Sequence, residues 1–306
     1  MKSLLFLTDL DQPALAQVLP GVRGAGVDRA PDAASAVARW LGISLPAPPA
    51  HLRLEGEGFR RGRDPAVGGG APQESWLACM DPVSMAADMR ELHMLEHAPV
   101  LADDEAAALR EKILPSLEER GFSPCVGGAG RWYVASEREH RFTAASPAVA
   151  RAGRIRDELP EGPDASVFRA LGNEIQMLWH DHPVNRARAG RGLPPVNSVW
   201  FWGGGRAPAG PATGGQRLPP LHADDPLLTG LWRRLGGERA APPAGDAAVR
   251  ALAAGCVMAL SGEALARPAV VKALRRGRVR IVTRDGLSAA LPRRGPAALL
   301  SAWRRR

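Results

Sequence analysis

The chain has 306 residues, 45% apolar and 24% charged, the balance of a globular protein with room for one large domain or two ordinary ones. No apolar run reaches the ~18 residues of a membrane span. The net charge of +8 is local: from Arg267 to Arg306 there are eleven Arg and one Lys against the single acid Asp285, which leaves 28 basic and 31 acidic residues elsewhere, a net of −3. The excess of Arg over Lys, with abundant Ala, Gly and Pro, fits a GC-rich coding bias as well as a phosphate-binding tail.

The opening run SLLFL stops at Thr8-Asp9, too early for a signal-peptide core, and the expectation is a cytoplasmic protein with no membrane partner. Cys79, Cys125 and Cys256 lie far apart without Cys-x-x-Cys spacing, so three reduced thiols are expected.

SLLFLTD (3–9) reads as a strand buried on both faces, and DAASAVARWLGISL (32–45) as a helix stopped at Gly42. A Pro/Gly-rich stretch, 46–75, holds one alternating segment, HLRLEG, and otherwise reads as loop. WLACMDPVSM and ELHMLEHAPV read as strands. ADDEAAALREKILPSLEERG predicts a helix with Asp103 as N-cap, a Leu109, Ile113 and Leu117 stripe, and a kink at Pro115. RWYVAS is a further strand after a turn at Gly127–Gly130.

DASVFRALGNEIQMLWHDHP (164–183) predicts a helix whose buried stripe is Phe168, Leu171, Ile175 and Leu178, ending near Asp181 or His182 because Pro183 follows. NSVWFW reads as a strand stopped by Gly203, Gly204 and Gly205. After a Pro/Gly linker (206–220), the pattern gives helices near PLLTGLWRRLGG and DAAVRALAAG, a strand CVMALSG, a helix EALARPAVVKALRRG, a hairpin turning at Asp285-Gly286 and a last helix. The alternation argues an α/β protein with a mixed sheet flanked by helices, and an α+β middle subdomain. The expected division is 1–50 with 198–306 as the core and 51–197 as the subdomain, packed as one compact unit.

Polar and aromatic chemistry concentrates between Asn173 and Gly205. Asn173, Gln176 and His180 share a helix face, which suits either a polar ligand or the backbone of a neighbouring loop. His182, Asn185 and Arg188 run from the helix end into the next turn, where they can converge on an anion or cap exposed carbonyls. Asn197, Trp202 and the glycine triplet 203–205 end a buried strand, a place where α/β proteins bind ligands through free backbone amides. No Lys-Ser/Thr follows, so the glycines are no nucleotide P-loop.

These residues carry a resemblance. His182, Pro183, Asn185, Arg188, Gly192, Pro195, Asn197, Trp200, Trp202, Gly203 and Gly205 resemble the H-P-x-N, Arg, Gly, P-x-N-x-x-W-x-W-G-x-G pattern of a bacterial phosphoglycerate-mutase-like family, the RpfE-type regulatory proteins. That family is similar to a segment of the archaeal-type cofactor-independent phosphoglycerate mutases. The likeness is densest from Leu159 to Leu231 and includes LPPLHADDPLLTGL, with His222, Asp224 and Asp225. It implies a reduced alkaline-phosphatase-superfamily-like fold and a phosphorylated or anionic metabolite as ligand.

In those mutases two metals and a Ser or Thr nucleophile transfer the phosphoryl group. Their opening strand-D-G-x-G-D is matched here only by Asp9, and no histidine follows His222. Ser261 has no activating neighbour in sequence. The expectation is therefore a mutase-like protein without the two-metal centre, holding its ligand with Gln176, His182, Asn185, Arg188, Asn197, Trp202, Gly203, Gly204, Gly205, His222, Asp224 and Asp225, with no resident cofactor and with a regulatory role. The alternatives are an active mutase or phosphatase holding Mn, Zn or Mg on Asp9, Asp11, His180, His182, His222, Asp224 and Asp225, and a nucleic-acid or protein interaction module acting through the Arg tail.

Overall fold

The computed structural model describes residues 3–8, 17, 23–24, 29–57, 75–87, 91–127, 131–151, 154–208, 218–243, 245–265, 267–276, 278–282 and 288–290. Asp9, Asp11, the 58–74 loop, the Asp285-Gly286 turn, the last helix and the Arg-rich tail lie outside them. In chain order the strands begin with β1 (Ser3–Thr8), β2 (Arg23–Gly24), β3 (Trp76–Val83), β4 (Met85–Ala87), β5 (Leu92–Met94), β6 (Ser123–Val126) and β7 (Trp132–Ser136). They continue with β8 (Ser198–Arg206), β9 (Leu221–His222), β10 (Arg239–Ala240), β11 (Val257–Leu260), β12 (Arg278–Val282) and β13 (Ser288–Ala290). The longer helices are α1 (Ala33–Leu41), α2 (Pro49–Gly56), α3 (Asp103–Glu118), α4 (Ala165–His180), α5 (Pro183–Gly190), α6 (Pro226–Leu235), α7 (Gly245–Ala254) and α8 (Pro268–Arg276).

The chain divides into two compact units. The first comprises Met1–Ile43, Gly214–Asp225 and Leu235–Arg306, the second Ser44–Thr213 and Pro226–Arg234. The first is a mixed α/β unit whose sheet runs in the order β10-β9-β11-β1-β12-β13-β2. β1 lies parallel between β11 and β12, while β12, β13 and β2 are antiparallel. Leu252, Met258, Val270 and Leu274 pack α7 and α8 onto it. Asp32 caps α1 by accepting from the Ser35 N–H at 2.8 Å, and Gly42 closes it at φ 71°, as the glycine stop predicts.

The second unit is a four-stranded antiparallel sheet, β6-β7-β3-β8. Alternate residues face opposite sides. Trp76, Ala78, Met80, Val134 and Phe201 join α3 and α4 in one core with Leu109, Ile113, Phe168, Leu171 and Ile175. The other side carries Cys79, Asp81, Tyr133 and Trp202 under α2, where Arg53 reaches both Asp81 and Tyr133. The strands are thus buried on both faces, which is why they read as continuous apolar runs.

Several expectations are corrected. HLRLEG forms the helix α2, started by Pro49, rather than an alternating strand. ELHMLEHAPV supplies only the short β5. The N-cap of α3 is Ala102, whose N–H donates to Glu105 at 3.1 Å, and the helix continues through Pro115 to Glu118. β8 runs through the glycine triplet to Arg206 instead of stopping there. Because β8 pairs with β3, residues 198–206 belong to the second unit, not to the 198–306 core expected from sequence. Among the described residues no helix is long and apolar enough to cross a membrane.

α2 and α6 meet backbone to backbone. A Cβ on Gly56 would fall on the Pro226 carbonyl, and one on Gly230 on the Leu52 carbonyl. Gly230→Ala should therefore lower unfolding stability by about 2 kcal/mol, the usual penalty of overpacking, as read by urea titration. A neutral result would mean that the two helices are not in backbone contact.

Candidate functional site

α4 ends at His180 because Pro183 cannot extend it, and the chain re-enters a helix at once as α5. The exposed carbonyls of this junction are taken up by the motif's own side chains. Asn185, 5% exposed, donates to Trp179 O at 2.8 Å and Val196 O at 2.9 Å and accepts from the Val196 N–H at 2.8 Å. Arg188, 2% exposed, donates to Pro194 O and Val100 O, both at 3.0 Å, and to Glu105 at 3.1 Å. Burial opposes the charge on Glu105, but the Ala102 N–H, Arg191 and Arg188 hold its carboxyl below the usual range.

His182 is the N-cap of α5, its Nδ1 accepting from the Val184 N–H at 3.3 Å. Burial, with Lys112 and Arg186, lowers its pKa and favours the neutral ring that can accept. The Asn197 amide accepts from Met85 N–H at 2.8 Å and donates to Met85 O at 2.7 Å, standing in for a backbone pair beside the β3–β8 ladder. Asn185, Arg188 and Asn197 thus meet protein carbonyls and amides, the carbonyl-capping alternative read from sequence, and they do not converge on one point.

The glycine triplet serves a close approach, but the approaching group is the protein itself. Between Leu77 and Cys79 the β3–β8 register shifts, so that Gly203 and Gly204 bulge opposite one residue. A Cβ on Gly203 (φ 65°) would lie 2.8 Å from the Pro49 side chain, and one on Gly204 2.6 Å from Trp76. His51 donates its Nε2–H to Gly205 O at 3.0 Å. The expected free amides beyond the strand end are therefore covered by the start of α2.

Trp202 donates its indole N–H to Asp81 at 2.7 Å and belongs to a buried network that the sequence did not reveal. Arg53 donates to Asp81 at 2.7 Å, to Tyr133 Oη at 3.0 Å and to Trp132 O at 3.3 Å, and Tyr133 donates to Glu57 at 2.7 Å. Burial works against the Arg53 charge, but Asp81 and its neighbours keep the guanidinium firmly protonated. Burial pushes the Glu57 carboxyl up, against the Tyr133 hydrogen bond and the charges of Arg53 and Arg131. Its Oε2 is buried without a hydrogen-bond partner among the described residues.

The second unit also holds a cavity of about 430 Å³. Its apolar wall includes Met85, Ile155, Phe168 and Trp200; Arg154, Arg156 and Arg169 stand at it with the acids Glu91 and Asp157. Asn173 and Gln176, one turn apart on α4, line it as the shared helix face predicts, while His180 is not part of it. Of the sequence-predicted ligand residues, Gln176 alone lines this cavity. Sequence reading missed Arg154 and Arg156 because they lie in a polar stretch without periodicity, and Arg169 because it sits off the apolar stripe of α4. The one available signal was Gly172, a glycine in a helix interior.

His222, Asp224 and Asp225 lie in the first unit, His180 and His182 in the second. His222 ends β9 with its Nδ1 buried and without a hydrogen-bond partner among the described residues, and Asp224 is exposed. Among the described residues no group of three or more His, Cys, Asp or Glu side chains is placed to hold a metal ion.

No known family profile matches the chain. Over 163 residues it is 31% identical to the 2,3-bisphosphoglycerate-independent phosphoglycerate mutase of Methanosarcina barkeri, covering 48% of this chain and 40% of that protein. Over 57 residues it is 44% identical to the enzyme of the same name from Methanothrix thermoacetophila, covering 19% of this chain and 14% of that one. The matches thus span well under half the length of these curated relatives. A solved cofactor-independent phosphoglycerate mutase from Thermoplasma acidophilum aligns with 95% of this chain and 89% of its own, at 15% identity and a TM-score of 0.39. The sequence similarity is to cofactor-independent phosphoglycerate mutases.

Asn185→Ala strips three buried hydrogen bonds and should destabilise the protein by about 2–4 kcal/mol, seen as a lower urea midpoint; an unchanged midpoint would refute the structural role. Glu57 gives a pH test. Its folded pKa lies above its ordinary value, so its contribution to stability is complete below the unfolded pKa and is lost as pH rises through the folded one. Glu57→Gln should therefore gain stability relative to the parent as pH rises above the ordinary carboxylate range. A pH-independent difference in urea midpoint would contradict the raised pKa.

Proposed function

We propose that this chain is a phosphoglycerate-mutase-like protein that works by binding a phosphorylated or otherwise anionic small molecule, in a regulatory capacity and in the cytoplasm. The observation that carries the reading is the cavity of the second unit, where Arg154, Arg156 and Arg169 offer guanidinium groups beside the Asn173 and Gln176 amides. Guanidinium and amide donors are the groups that recognise phosphate and carboxylate oxygens. The sequence similarity to the mutases supports a ligand of their chemical kind.

An active mutase is the second reading. It is favoured by the names of the curated relatives and by the unpartnered, buried Nδ1 of His222, a group suited to a metal ligand. The nucleic-acid reading rests on arginines beyond residue 290, outside the described residues.

A saturating phosphorylated ligand should raise the melting temperature by on the order of 5 °C. The shift should vanish in an Arg154→Gln, Arg156→Gln, Arg169→Gln variant. No shift across a panel of sugar phosphates, phosphoglycerates and nucleotides would sink the binding reading. Elemental analysis with a 3- to 2-phosphoglycerate assay separates the second reading. Stoichiometric Mn, Zn or Mg with turnover would establish it over the first.

A further inference from the structure

α4 carries Gly172 at its centre, between the buried Leu171 and Ile175. Glycine is among the poorest helix formers and is tolerated in a helix interior chiefly where something demands it. Neither usual demand applies here. The residue lies within regular helix and is absent from the positive-φ glycines. A Cβ built on it meets nothing within 4 Å among the described residues, so none of them presses against the helix at that point. Gly172 instead lines the cavity, and its missing side chain leaves that space open.

The cavity's chemistry narrows what the space admits. About 430 Å³ falls in the range of pockets for drug-sized ligands and is large for a three-carbon phosphate. Its wall of Met85, Ile155, Phe168 and Trp200 would gain nothing from a wholly polar molecule. Leu92 and Leu159, which also line it, are 41% and 36% exposed, so apolar surface continues to the mouth.

The polar groups, which include the acids Glu91 and Asp157, are unevenly engaged. Arg154 pairs with Glu91 at 3.5 Å, and Arg169 donates to Pro160 O at 2.7 Å. The guanidinium of Arg156 and the amide of Asn173 have no hydrogen-bond partner among the described residues, and Gln176 has only the sulfur of Met85, at 3.7 Å. One unengaged cation and two amides over an apolar wall suit one acidic group on an apolar body.

We infer that the cavity beside Gly172 binds an organic anion with a flat apolar body, larger and more apolar than a phosphoglycerate, its acidic group on Arg156 and its body between α4 and β8. This rests on the small-molecule reading above but does not require a phosphate.

The test uses the full chain with 8-anilinonaphthalene-1-sulfonate as the anionic probe and N-phenyl-1-naphthylamine as its uncharged counterpart, followed by fluorescence. The sulfonate should bind saturably at one site per chain. Gly172→Leu should weaken both probes at least tenfold while the melting temperature stays level or rises. Arg156→Gln, an exposed change that leaves folding intact, should weaken the sulfonate about tenfold and the uncharged probe little. Multiple non-saturating sites, undiminished binding to Gly172→Leu, or equal effects of Arg156→Gln on the two probes would overturn the inference. Probe binding blocked by Gly172→Leu with no response to any phosphorylated compound would uphold this site and refute the phosphate-based function. Phosphorylated ligands that bind equally to the parent and to Gly172→Leu would do the reverse.

Discussion

The second unit depends on a strand with no solvent-facing side. β8 packs Val199 and Phe201 against α3 and α4 and turns Trp202 towards Arg53 and Asp81 on the other face. Such a strand needs its register fixed at both ends, since a slip of one residue would exchange the two faces. At the start, the Asn197 amide pairs with both backbone groups of Met85. At the far end, the Gly203-Gly204 bulge lets the first turn of α2 settle on the strand. Asn185 and Arg188 then tie the preceding helix junction to residues 194–196, just ahead of the strand. The polar motif between Asn185 and Gly205 is, in this structure, the fastening of one strand.

That arrangement explains which parts could be read from sequence. α4 and its end near Asp181 followed from the apolar stripe and Pro183, both local facts. The strands followed from apolar runs bounded by turns. α2 was misread because its pattern is set by partners distant in sequence: Arg53 is buried for Asp81, 28 residues on, and His51 for Gly205, 154 residues on. Periodicity cannot see such pairs. The polar motif residues looked like ligand contacts for the same reason. Buried asparagine and arginine must be satisfied, and a sequence does not say whether the satisfying groups are carbonyls or a metabolite. The glycine triplet was legible as a close approach, but not as an approach by Pro48 and Pro49.

The cavity lay almost outside sequence reasoning. Two of its arginines, Arg154 and Arg156, come from a short polar stretch, the third from the polar side of α4, and its wall from four separate elements. Gly172 was the visible irregularity, a weak residue in the middle of a strong helix, and it gains meaning only once nothing is found packed against it. Local rules broken without a packing reason are where function is to be sought. The motif glycines are explained by packing; Gly172 is not.

The central claim is that the motif's polar residues hold the fold while binding occurs beside Gly172. Its most direct test is an NMR titration of the tryptophan indole N–H resonances with 8-anilinonaphthalene-1-sulfonate. Trp200 lines the cavity, whereas Trp179 and Trp202 donate to Leu109 O and Asp81 away from it. The account predicts that the Trp200 resonance shifts saturably while those of Trp179 and Trp202 stay in place. Movement of Trp202 or Trp179 with Trp200 unchanged would contradict it.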